Sequence, residues 1–208
     1  MRIGESIRAM GVSAKQFAEM QSRTNRPQRR PGAEVATAKP SPHQIIIGID
    51  PSLRGTGYGV IRLATPHPET LAEGTITCPA TWEHSRCLLH IATELRTIIR
   101  KTHPTVAAIE GIFFAQNLKT AIVMGQARGA ALVPLAEAGL EIYEIATRKV
   151  KQAIVGYGGA RKAAVAKMVQ RMLNLPEPPA PDAADALALA LTHANNLSRP
   201  LLKPPKKI

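Results

Sequence analysis

Of the 15 acidic residues in this sequence 12 are Glu, and only Asp50, Asp182 and Asp185 are Asp. Glu suits helices and solvated faces, whereas the shorter, stiffer Asp holds a hard cation in tighter geometry. Asp50 ends the run Ile45-Ile46-Ile47-Gly48-Ile49 and leads into the turn Pro51-Ser52-Leu53-Arg54. A continuous apolar run bounded by turn residues suits a strand buried on both faces, where an unpaired charge is costly. Asp50 therefore calls for a cation; the alternative is that it caps the turn that follows. Glu110 ends a second such run, from Thr105, behind His103-Pro104. Asp182 and Asp185 open a late segment at i, i+3 spacing, which puts both carboxylates on one face of a helix, one turn apart. The alternative is helix capping, with Asp182 as the N-cap after Pro181 and Asp185 favoured by the helix dipole. The segment that follows, Ala186-Leu187-Ala188-Leu189-Ala190-Leu191, is apolar on nearly every side, so this helix is buried and its carboxylates lie close to a sheet. Two carboxylates from strand ends and two from a buried helix make an oxygen-rich site suited to Mg²⁺ or Mn²⁺. Ion pairs of this kind, about 3.5–4 Å apart, stabilise both the attacking and the leaving oxygen of an in-line phosphodiester displacement.

Such a site needs a sheet that brings two strand ends together. Ile45 to Cys78 reads as three strands, at 45–50, about 57–64 and about 71–78, separated by turns rich in Gly, Pro and Thr. Short connections make them an antiparallel meander. Leu88, Ile91, Leu95 and Ile98 recur at helical spacing over roughly 85–101, and a fourth strand covers 105–110. Then come a helix over about 118–137, a fifth strand at 141–146, a helix over about 147–155, the loop Gly156-Tyr157-Gly158-Gly159 and a helix over 160–173. Pro176, Pro178, Pro179 and Pro181 precede the last helix, about 182–195. The expected fold is α/β, a five-stranded mixed sheet with helices on both faces. This order is similar to the ribonuclease H-like fold, in which strands one and four lie adjacent and parallel. Asp50 and Glu110 would then end neighbouring strands, where α/β sheets place their ligands.

With 208 residues the chain can build one domain with a real core. The net charge of +12 and pI near 10.2 point to a polyanion, most simply nucleic acid, with an acidic lipid surface as the other option. Residues 1–43 hold eight Lys/Arg against three Glu, and residues 199–208 hold four basic residues and no acid, so +9 of the +12 lies in the two tails. The expected organisation is a disordered basic extension over 1–43, a folded domain over 44–196 and a basic tail over 197–208. The extension reads as a DNA-binding arm, a transit peptide or an overlong start; Glu5, Glu19 and Glu34 count against the transit peptide. Cys78 and Cys87 have neither CxxC spacing nor a nearby histidine cluster, which excludes a zinc site and a disulfide scaffold and leaves reduced, buried thiols. Apolar stretches fall short of the about 18 residues a membrane span needs, so the expectation is a soluble, cytoplasmic protein with no membrane partner.

Five segments carry a family resemblance, in order and in spacing. They are Ile47-Gly48-Ile49-Asp50-Pro51-Ser52-Leu53-Arg54-Gly55-Thr56-Gly57-Tyr58-Gly59-Val60, Ile109-Glu110-Gly111-Ile112-Phe113-Phe114 with Asn117, Met124-Gly125-Gln126-Ala127-Arg128-Gly129, Val150-Lys151-Gln152-Ala153-Ile154-Val155-Gly156 and Asp182-Ala183-Ala184-Asp185-Ala186-Leu187. Together they resemble the RuvC Holliday-junction resolvases, over about 44–195. The resemblance implies a crossover junction endodeoxyribonuclease of recombination and repair, with the nuclease domain at 44–196. It would cut four-way DNA junctions by paired symmetric nicks, leaving 5′-phosphate and 3′-hydroxyl ends. Asp50, Glu110, Asp182 and Asp185 match the family's metal-binding quartet, which implies two Mg²⁺ per active site with Mn²⁺ able to substitute. Phe113 matches the aromatic that stacks on bases at the crossover, and Lys151 and Lys162 match basic residues on the scissile strand; Arg161 adds charge beside them. A homodimer and the RuvA and RuvB branch-migration proteins are the implied partners. Ser52 stands where the family usually has Gly, and Gly111 where it commonly has Gln or Glu.

Other motifs carry less. Gly55-Thr56-Gly57-Tyr58-Gly59 lacks the third glycine of a dinucleotide loop and opens a strand, and the chain is too short for the two halves of an actin-like ATPase. His193 lies about 16 Å along the helix from Asp182, which makes it a core or surface residue in preference to a ligand. Two rival functions are a ribonuclease H-like nuclease acting on RNA or other branched DNA, and a non-catalytic junction-binding module.

Overall fold

The computed structural model describes residues 43–111, 117–197 and 205–208. Six strands form one mixed sheet in the order β3-β2-β1-β4-β5-β6. They are β1 (Ile45–Asp50), β2 (Gly55–Arg62), β3 (Glu69–Thr77), β4 (Val106–Glu110), β5 (Glu141–Ile145) and β6 (Lys206–Lys207). The first three form the expected antiparallel meander, and β1 lies beside β4 in parallel, with Ile49 opposite Ile109. The sixth strand corrects the expectation of five. Lys206 and Lys207 follow two prolines and carry no strand signal of their own. They pair because β5 has an open edge: Lys207 lies opposite Tyr143, and its Nζ donates to Glu141 Oε1 at 2.6 Å. The second strand also begins earlier than predicted, at Gly55 instead of about 57, because Gly55 and Thr56, which read as turn residues, belong to it.

Among the described residues, five helices cover the sheet: α1 (His84–Thr102), α2 (Leu118–Glu137), α3 (Thr147–Val155), α4 (Lys162–Met172) and α5 (Pro181–Leu197). Strand residues alternate between the two faces. Ile46, Val106 and Ala108 share one core with Val150 of α3, Val165 of α4 and Leu187 of α5. Ile47, Ile49, Ala107 and Ile109 share the other with Ile91 and Leu95 of α1 and Ala131 and Leu135 of α2. Arg100 and Lys101 complement the dipole of the last turn of α1, which stops at His103 in the left-handed region (φ 47) ahead of Pro104. Among the described residues, no helix is long and apolar enough to cross a membrane. Both cysteines are buried free thiols, as the sequence predicts.

The contact that positions the chemistry is α5 lying directly on the glycine face of β1 and β2. Gly48 and Gly59 are partners across the two strands, and Gly57 is opposite Asp50. A Cβ on Gly48 would stand 2.0 Å from the carbonyl oxygen of Ala186, and one on Gly57 would stand 2.1 Å from that of Asp182. The helix meets the strands with small residues of its own, Ala183, Ala186 and Ala190, all buried. Leu187, Leu189 and Leu191 are fully buried around this seam, each contributing about 1.5–3 kcal/mol relative to exposure.

His193 is 2% exposed, which places it in the core, at the opposite end of α5 from Asp182 and Asp185. Its Nε2 lies 3.3 Å from His43 Nδ1, and His43 Nε2 lies 3.5 Å from Glu141 Oε2. Tyr143 completes the group, its ring 4.8 Å from that of His193 and its hydroxyl donating to Glu141 at 2.8 Å. One tautomer set fits: His43 donates from Nε2 to Glu141, and His193 donates from Nε2 to His43. The His193 Nδ1 lone pair is then the buried atom without a partner.

Two measurements check these contacts. Gly48→Ala should lose about 1–3 kcal/mol or more in urea denaturation, because a backbone carbonyl has to move. Gly125→Ala, at an open position of α2, should instead be neutral or gain up to about 1 kcal/mol. Equal losses for the two would contradict the seam. The second measurement is pH dependence. Burial, and next the charge of His43, lower the His193 imidazole from 6.5 to about 4, against the pull of Glu141. The unfolded chain then binds the extra proton first, so the His193 contribution is complete above about pH 6.5 and is lost as pH falls toward 4. Thermal midpoints between pH 7 and pH 4.5 should fall less steeply in His193→Phe than in the unaltered protein.

Candidate active site

Asp50 and Glu110 stand side by side because they end two parallel strands in register at the sheet centre. Asp50 shares its face with Gly48, the face that α5 covers. Asp182 and Asp185 come down onto the same edge in the first two turns of α5. That helix starts at Pro181, with its fixed φ suited to the first helical position, so Asp182 is not the N-cap that the sequence offered as an alternative. Asp50, Glu110, Thr147, Lys151 and Asp185 line one small cleft, floored by Val150, Val165 and Leu189. Asp182 lies one turn away, its Oδ2 3.0 Å from where a Cβ on Gly55 would stand.

Like charges in an apolar cleft raise one another's proton affinity. Burial is the largest cause for Asp50, followed by its hydrogen bond with Glu110 and the charges of Glu110 and Asp185; Lys162 pulls the other way. The net effect pushes the Asp50 carboxyl up to about 8. Among the described residues, no three acidic or histidine side chains already form a cage for an ion. Asp185 instead meets the Lys162 ammonium, Oδ2 to Nζ 2.6 Å, and this bond with the nearby charges of Asp185, Asp50 and Asp182 raises the Lys162 pKa. Lys162 thus supplies the positive charge this edge needs. The donors fit a hard cation: they are all carboxylate oxygens, crowded so closely that burial and the neighbouring Glu110 and Asp185 raise the Asp50 carboxyl in spite of Lys162.

The loops around the site are tied down. Thr56, fully buried, donates from Oγ1 to the Ser52 carbonyl at 2.6 Å and accepts from Ser52 N–H at 3.2 Å. Arg54 fixes the same loop to the connection before α1, donating to Pro79 O at 2.5 Å and Trp82 O at 3.1 Å. Arg128, 9% exposed in the middle of α2, donates to the Glu110 carbonyl and, at 2.5 Å, to Glu144 Oε2. Its role was missed in the sequence. A lone Arg among Ala127, Gly129, Ala130 and Ala131 is the signal that could have found it, since a buried guanidinium needs partners. Thr147, whose Oγ1 donates to Glu110 Oε1 at 2.5 Å, offered no such signal. Arg161 is exposed at the N-cap of α4, beside Lys162. Phe113 lies outside the described residues.

Residues 46–193 match the family model described as crossover junction endodeoxyribonuclease RuvC. A relative of that name from Chloroflexus aurantiacus is 44% identical over 149 residues, 71% of this chain and 91% of the relative. Another, from Vibrio vulnificus, is 49% identical over 151 residues, 73% of this chain and 87% of the relative. Among solved structures, Thermus thermophilus RuvC in complex with a Holliday junction substrate superposes with a TM-score of 0.72 at 32% identity, covering 80% of this chain and all of that one. A second Thermus thermophilus RuvC structure gives 0.69. The matched span contains both strand-end carboxylates and the α5 pair, and the solved RuvC neighbours have the ribonuclease H-like fold. By sequence and by fold, this chain belongs to the RuvC family of crossover junction endodeoxyribonucleases.

Proposed function

We propose that this chain is a structure-selective endodeoxyribonuclease that resolves four-way DNA junctions in homologous recombination and repair. The observation that carries this is the convergence of Asp50, Glu110 and Asp185 on one sheet edge, in a chain whose family consists of metal-dependent nucleases. In the hydrolysis, the oxygen of water forms a bond to phosphorus, the bond from phosphorus to the 3′ oxygen breaks, and that oxygen leaves with a proton as the 3′-hydroxyl. Asp50, Glu110, Asp182 and Asp185 would hold two Mg²⁺, or Mn²⁺ in substitution, which when bound neutralise charge on the attacking and leaving oxygens. Asp50 feels both Glu110 and Asp185, which makes it the centre of that donor set. Lys162, once its bond to Asp185 is exchanged for a cation, and Lys151 in the same cleft are placed to bind the scissile strand's phosphates. Arg161 adds to that binding, and Phe113, three residues past Glu110, stacks on a base at the opened crossover.

One active site cuts one strand, so paired symmetric nicks require a C2 homodimer. We assign residues 44–196 to the nuclease domain and residues 1–43 and 197–208 to basic arms; the cytoplasm is the site of action, with RuvA and RuvB as partners. The four intact carboxylates weigh against a non-catalytic binding module, and the Holliday junction bound to the Thermus relative favours junctions over other branched substrates.

On a synthetic four-way junction, cleavage should require Mg²⁺ or Mn²⁺ and stop with chelator. Asp50→Asn should bind the junction in Ca²⁺ as the unaltered protein does, yet cut at least about 100-fold more slowly. Comparable turnover by the mutant would sink the metal assignment. Phe113→Ala should slow cleavage of a fully paired junction about tenfold or more, the loss of a base stack worth about 1–3 kcal/mol. On a junction pre-opened by mismatches at the cut site its loss should be much smaller. Equal losses on both substrates at saturating enzyme would make Phe113 a packing residue.

A further inference from the structure

The nuclease reading assigns Glu110 a metal-holding role without saying what aims its carboxylate. Two contacts hold its backbone: Arg128 donates to the Glu110 carbonyl, and Gly111 N–H donates to Ile145 O at 3.0 Å. Neither restrains the three side-chain torsions beyond Cα, and Gly111 has no side chain to help. Thr147 does restrain them. It is the first residue of α3, in the segment that follows the neighbouring strand β5, and its hydroxyl donates to Glu110 Oε1 at 2.5 Å. A β-branched residue is stiff at χ1, so this donor is held in place by its own backbone. The first turn of α3 carries no acid, and its N-cap, Ala146, has no capping side chain. The Glu110 carboxylate, drawn against that turn, also meets the positive end of the helix.

We infer that Thr147 is the positioning residue for Glu110, occupying Oε1 so that the carboxylate is turned toward Asp50 and the cation site. This rests on the proposed metal-dependent nuclease. A ligand oriented by a neighbouring hydrogen bond binds its ion more tightly, and removing such a partner typically costs about 10–100-fold in affinity or activity. Thr147 is exposed, so its replacement leaves the core untouched.

Thr147→Val keeps the shape and removes the donor; Thr147→Ser keeps the donor. Mn²⁺ binding to the full-length protein without DNA is measured by titration calorimetry or electron paramagnetic resonance, with Asp50→Asn as control. Half-saturating Mn²⁺ in junction cleavage, junction binding in Ca²⁺ and the thermal midpoint are read alongside. Thr147→Val should weaken Mn²⁺ binding about tenfold or more and raise half-saturating Mn²⁺ in parallel, while Thr147→Ser stays within about twofold of the unaltered protein. Junction binding and midpoint should not move. Unaltered Mn²⁺ binding in Thr147→Val, with Asp50→Asn impaired, would overturn the inference and leave the nuclease reading standing. Equal impairment of the Val and Ser variants would overturn it too, by showing that shape matters and the hydroxyl does not. Undiminished binding in Asp50→Asn would remove the metal reading, and this inference with it.

Discussion

The near-contact of two backbones, α5 on the glycine face of β1 and β2, is the constraint on which the rest of this structure depends. Ordinary helices stand off a sheet by the thickness of two side chains. Here Gly48, Gly57 and Gly59 remove one of those layers and the alanines of α5 remove much of the other. The Asp182 carbonyl sits where a side chain at position 57 would be, directly across the strand pair from Asp50. Asp185 is thereby brought into the cleft with Asp50 and Glu110, although more than 130 residues of sequence separate it from Asp50.

Such closeness has an electrostatic cost. Asp50, with a carboxyl pushed up to about 8, is where that cost is concentrated. The protein offsets it with cations at graded distances. Lys162 bonds to Asp185 at the cleft, and Arg128 braces the strand end from beneath through Glu144 and the Glu110 carbonyl. The buried Arg128–Glu144 pair, 2.5 Å apart, couples α2 and β5 to β4, so three elements share the task of holding one glutamate. An acidic edge whose Asp185 is paired with an exposed lysine is suited to exchanging that lysine for a metal ion and a phosphate.

The opposite end of the sheet has a different character. His193, His43, Tyr143, Glu141 and Lys207 join the end of α5, the residues before β1, and the strands β5 and β6. This group closes the domain where the chain enters and leaves it, far along α5 from the carboxylates. Chemistry and closure thus occupy the two ends of one buried helix. Most of the protein's net positive charge lies in residues 1–43 and 199–208.

Local pattern was enough to find the strands that end in Asp50 and Glu110, the meander and the buried last helix that opens with Asp182 and Asp185. Each is announced by short-range chemistry: an apolar run, a helical period, an acid where no acid should be. The order of elements was enough to place β1 beside β4. Three things had no such announcement. The strand β6 is two lysines whose structure comes from the open edge of β5. Gly55 reads as a turn residue because the purpose it shares with Gly57, room for a helix more than 120 positions later, is invisible from its neighbours. Thr147 acts on Glu110 through a contact 37 residues apart in sequence. Residue type and period are local properties of the chain, and they determined which acidic groups stand at the strand ends and the start of the last helix. Which group holds another in place depends on distances across the folded core, and only the tertiary structure decided that.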